Sequence, residues 1–130
     1  FMAAAIGVLG WQRGIWPFWF PALVFAAFIV DSGLTLSKRI AHGENPFEAH
    51  RSHYYQRLIR MGWSHARLAL HAYALMAATS VTALLFRNAS PFLTILALAV
   101  WLAAFAWIAL TVDRLWRASP ARAEAVAKRA

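Results

Sequence analysis

Residues 50–60 gather two imidazoles and three guanidiniums: His50, Arg51, His53, Arg57 and Arg60. Guanidinium groups present paired, planar donors that match the oxygens of a phosphate or diphosphate better than the point charge of a lysine does. Imidazole adds a hydrogen bond, and a proton when an anion lies beside it. Residues 48–61 predict a short helix stopped by Gly62, and the i, i+3 spacing then puts His50 and His53 on one face. That face suits a phosphate or a nucleoside. A zinc site would need further ligands, and no Cys, His or acidic cluster lies nearby to supply them. A plainer reading stays open beside the sharp one. Histidines and arginines at a membrane interface commonly set topology or meet anionic headgroups, and Arg57 reads as such a lipid-facing charge.

What must position these groups is apolar. Residues 15–37 predict a membrane helix with Trp11, Trp16 and Trp19 crowding its start, and Pro21 suits a slight bend within it. Residues 38–65 form a polar loop, with Gly43-Glu44-Asn45-Pro46 as a turn and Ser64 as the N-cap of the next helix. Residues 66–86 and 91–112 predict two further spans, joined by a tight turn, and 113–130 a polar tail of helical character interrupted at Ser119-Pro120. Residues 1–11 are too short to cross a bilayer, so the chain reads as opening inside a membrane helix. The fold class expected is all-α, a polytopic transmembrane helix bundle.

Two acids stand out in this apolar setting. Asp31 lies near the end of the first full span, where a carboxylate is costly and faces a bundle interior or a cavity. It is either a cavity-lining acid near the polar loop or an internal partner for Lys38 or an arginine. Asp113, at the start of the tail, reads as exposed and locally paired. In the second span, His71, Tyr73, Thr79, Ser80 and Thr82 suit hydrogen bonds between helices.

Composition agrees with a membrane protein. Hydrophobic residues make up 62% and charged residues 14%, against about 25% charged in soluble domains. The formal net charge of +8 does not point to nucleic acid, because the basic residues flank apolar spans rather than cover a soluble face. They concentrate in the 38–67 loop and the tail, which places both on the cytoplasmic side by the positive-inside rule. The chain has no cysteine, which excludes disulfides, thiolate metal sites and a cysteine nucleophile.

Five elements occur in order along residues 31–63: Asp31, Lys38-Arg39, Gly43-Glu44-Asn45-Pro46-Phe47, Arg51-Ser52-His53, and Arg60-Met61-Gly62-Trp63. This order resembles the C-terminal part of the polyprenyl-phosphate N-acetylhexosamine-1-phosphate transferases, glycosyltransferases of family 4 related to the phospho-muramoyl-pentapeptide transferase. The resemblance implies transfer of a sugar-1-phosphate from a UDP-sugar to undecaprenyl phosphate or another polyprenyl phosphate. The reaction initiates cell-surface polysaccharide or O-antigen synthesis on the cytoplasmic side of a bacterial inner membrane. By resemblance, His53 is the leading substrate-contacting residue, with Arg51, Arg60, His50 and Gln56 behind it. Some members carry a His-x-His-His run, whereas this chain reads His53-Tyr54-Tyr55-Gln56. The family's paired aspartates and its Asn/Asp-rich magnesium motif do not occur here, so the resemblance places the Mg2+ ligands in a missing N-terminal portion of the same enzyme. This chain by itself would then be inactive. A homodimer is compatible with the resemblance. A reading of a different class is a small structural or assembly membrane protein whose basic loop binds lipid or a partner.

Overall fold

The structure, a computed structural model, describes residues 2–43, 45 and 53–121. Every regular element among them is a helix: α1 (Met2–Gln12), α2 (Trp19–Val24), α3 (Ala26–Ala41), α4 (Tyr54–Arg60), α5 (His65–Phe86) and α6 (Pro91–Ala118). The local signals explain several ends. The Ser64 hydroxyl accepts the Arg67 N–H at 3.2 Å and starts α5, satisfying one orphan donor of the first turn. Ser90 caps α6 in the same way, with Pro91 in the first turn, where its missing N–H costs nothing. Gly62, at φ +96°, takes the chain out of α4 through a conformation that side-chain-bearing residues rarely adopt.

α5 and α6 are 22 and 28 residues long, and both are long and apolar enough to cross a membrane. Only 11% of each apolar window is buried within the chain, so most of their apolar side chains face outward. Leu85, Phe92 and Leu102 are among them. A core helix of a soluble domain would instead bury most of one face. The buried apolar residues are few: Leu23, Tyr54, Ala83, Phe105 and Val112. Between the two long helices, the Trp101 indole donates to the Thr82 hydroxyl at 3.2 Å.

Two expectations change. The helix expected over residues 15–37 is two helices, α2 and α3, separated at Phe25, which sits at φ −95° and ψ 13°. The Phe25 carbonyl accepts from both Phe28 and Ile29, a tight turn that restarts the helix, and Pro21 one turn earlier has no N–H to bond back. The span expected over residues 91–112 lies within α6, which continues through Asp113 to Ala118 and stops at Ser119, in keeping with a helical tail interrupted at Ser119-Pro120. Finally, the loop helix begins at Tyr54, with His53 in extended conformation as its N-cap. Residues 48–52, where its first turns were expected, lie outside the described residues.

At the N-terminal side, α1 packs on the segment leading into α2. The Trp16 indole lies against Gly10, where an added Cβ would stand 2.0 Å from the ring, and its N–H donates to the Gly7 carbonyl at 3.0 Å. Glycine is required at position 10 by this close approach.

Candidate functional site

The loop helix α4 is held by two acids from two other helices. Its N-terminus meets Asp31 of α3. The Tyr54 N–H donates to Asp31 Oδ1 at 2.7 Å, and Asp31 Oδ2 lies 3.7 Å from His53 Nδ1. Asp31 thereby satisfies a first-turn donor of α4 and sets a negative charge beside the imidazole. Gln56 closes the same end, its Oε1 accepting the His53 N–H at 3.3 Å. Its amide nitrogen donates to the Tyr55 hydroxyl at 3.2 Å. His53 stacks on the Tyr55 ring at 5.8 Å between centroids, and 26% of its side chain remains exposed. The imidazole is thus oriented yet reachable.

The face of α4 meets Asp113 of α6. Arg57 Nη1 donates to Asp113 Oδ1 at 2.8 Å, the Tyr54 hydroxyl donates to Oδ2 at 3.2 Å, and Lys38 of α3 donates to the same Oδ2. Lys38 also donates to the Tyr54 hydroxyl, and the Tyr54 ring has Lys38 and Arg57 about it at 4.9 and 5.0 Å from its centroid. Burial pulls the Lys38 pKa down, but the hydrogen bonds to Asp113 and Tyr54 outweigh it and hold the ammonium above its ordinary 10.5. Next to Lys38, the buried Arg39 donates to the Asn45 carbonyl at 2.6 Å.

The arrangement corrects two readings and refines others. Asp113 is buried, not exposed, and its partners lie 56 to 75 positions away in the chain. Arg57 does not face lipid; its side chain is 16% exposed and bound to Asp113. Asp31 is not the partner of Lys38, which goes to Asp113; it caps α4 and stands beside His53. Gln56 spends its carbonyl on the cap. Arg60 lies apart from His53, exposed on a groove of about 360 Å³ lined also by Met61, Trp63, Leu115, Ser119 and Pro120. His50 and Arg51 lie outside the described residues, so the shared face of His50 and His53 does too. In α5, Thr79 and His71 bond carbonyls of their own helix, and Thr82 alone among the described polar residues of that span is bonded to another helix.

The described residues do not fit a magnesium site. Among them no group of three or more His, Asp or Glu stands where it could hold a metal ion. Asp113 already carries two cations and a phenol, and Asp31 a backbone N–H and an imidazole. A lone Asp near the end of an apolar run is the sequence signal for Asp31, while its place beside His53 follows from the packing of α3 against α4. Tyr54 carries no such signal.

No family model, curated protein or solved structure matches this chain.

Proposed function

We propose that this chain is the C-terminal part of a multi-pass membrane enzyme that transfers sugar-1-phosphate from a UDP-sugar to a polyprenyl phosphate. In this reading, the loop around α4 contacts the donor diphosphate on the cytoplasmic side, and the Mg2+ ligands come from outside this chain. The observation that carries it is the partly exposed His53 imidazole, with Asp31 from a different helix beside it at the head of α4. Asp31 and His53 are two of the five ordered elements behind the resemblance, and the fold brings them together. The imidazole then meets a diphosphate oxygen, with Arg51 as a second donor. No covalent step falls to these residues; they bind and orient the donor and offset charge as the phosphoryl bond breaks.

The competing lipid-binding loop needs free basic charge. Lys38, Arg39 and Arg57 are instead engaged within the chain, which favours the enzyme. The test uses the longer enzyme that contains this chain. A charged hydrogen bond is worth roughly 1.5–3 kcal/mol, so His53→Ala should lower UMP release by about one to two decades at unchanged protein level. Arg51→Ala should come close to it, and Arg60→Ala should lose less. Equal mild losses at all three would favour the lipid-binding loop.

A further inference from the structure

We propose that Asp113 is a positioning residue for His53, acting through Tyr54; the inference rests on the donor-binding reading of His53 given above. Tyr54 follows His53 directly and is pinned at both of its ends. Its backbone N–H is held by Asp31 of α3, and its phenol by Asp113 of α6 and Lys38 of α3. Arg57, one turn further along α4, ties the same helix face to the same carboxylate. A residue fixed at its N–H and at its phenol oxygen has little freedom left in the peptide that joins it to His53. The place of the imidazole is therefore set by contacts from two helices, α3 and α6, and Asp113 supplies the more distant anchor.

A purely structural role for Asp113 would be to neutralise Lys38 and Arg57. The two roles separate at the Tyr54 hydroxyl. Tyr54→Phe removes that oxygen and leaves Asp113 paired with both cations. A neutralising role predicts no change at His53, whereas a positioning role predicts one.

The first arm of the experiment needs no enzyme activity. The full chain in lipid nanodiscs is treated with diethyl pyrocarbonate, and modification of His53 is followed by peptide mass spectrometry. The exposed His42, after α3, and His65, at the head of α5, serve as internal references. Tyr54→Phe should raise the His53 rate several-fold with the references unchanged, and Asp113→Asn should do so at least as strongly. In the second arm, UMP release by the longer enzyme should fall about tenfold in kcat for Tyr54→Phe, as expected for one hydrogen bond to a charged group. The double variant Tyr54→Phe/His53→Ala should be no slower than His53→Ala alone, because the effect passes through the imidazole. His53 reactivity unchanged in Tyr54→Phe would overturn the proposal, even if Asp113→Asn failed to fold. Multiplying losses in the double variant would overturn it as well. Absence of transferase activity in the unmodified enzyme would instead strike the function proposed above and leave the modification arm to decide the positioning role.

Discussion

α1 and α4 differ in how they are held; at 7 residues α4 is well below the length of about 12–15 residues under which isolated helices are marginal in water. Each is held by a neighbour, and by opposite means. α1 is held by shape: Gly10 admits the Trp16 indole to a distance that no side chain would allow, within reach of the Gly7 carbonyl. α4 is held by charge and directed hydrogen bonds, from Asp31 at its head and Asp113 on its face. The difference decides what each can respond to. A shape contact is indifferent to protonation and intolerant of one added methyl group. A polar socket tolerates small changes in volume, yet fails when a charge is removed.

The largest expected effect breaks the socket. Asp113→Ala removes the carboxylate that Arg57, 16% exposed, and the Tyr54 hydroxyl both bind, and breaking a buried pair costs about 3–5 kcal/mol. The Lys38 arm adds little, because that side chain is 39% exposed and screened by solvent. A fall of that size in denaturant unfolding free energy is expected, and Arg57→Ala should be much milder than Asp113→Ala if the stranded cation is the cause.

Next comes the shape contact. Gly10→Ala drives a Cβ into the Trp16 ring and should cost about 1–3 kcal/mol as an overpacked contact does, while His53 reactivity stays as it was. Gly33 is the control. It lies inside α3 with nothing within 4 Å of an added Cβ, so Gly33→Ala should stabilise by about 0.5–1 kcal/mol. A loss at Gly33 equal to that at Gly10 would dissolve the distinction between the two helices.

Proton concentration sharpens the comparison further. Lys38 stands above its ordinary 10.5 in the folded chain, so its contribution is fully present below pH 10.5 and lost as pH rises through the folded value. The unfolding midpoint should hold up to that pH and fall beyond it, and Lys38→Met should flatten the fall. The contact of Trp16 with α1 has no titrating group and should not change over the same range. The smallest effect is expected at the single described side-chain bond between α5 and α6. Thr82→Val should cost about 0.6 kcal/mol, the usual worth of such a bond between membrane helices, measured by the same unfolding titration.

Signals confined to a few residues were legible in the sequence. The Ser64 cap, the Gly62 stop, the Ser119-Pro120 end and the two long apolar helices follow from local chemistry and hydropathy. The Asp113 socket was not, because its partners are remote in the chain and only the packing of α3, α4 and α6 brings them together. Arg57 looked like an interfacial charge for the same reason: its neighbours in sequence say nothing about Asp113. The division at Phe25 was half visible, in the proline one turn before it. Asp31 was picked out by the cost of its charge, while its partners had to come from the fold.

Asp113 rides on one unbroken helix that starts at Pro91 on the far side of the molecule. With 28 residues, α6 is a rod about 42 Å long, longer than the roughly 30 Å hydrocarbon layer of a bilayer. Its apolar part, residues 91–112, accounts for about 33 Å of that, close to the hydrocarbon thickness, so the stretch from Asp113 to Ala118 extends the rod past the apolar part. α6 is thus a bracket: an apolar shaft long enough to cross a membrane, and a short charged head that carries the seat of the loop helix.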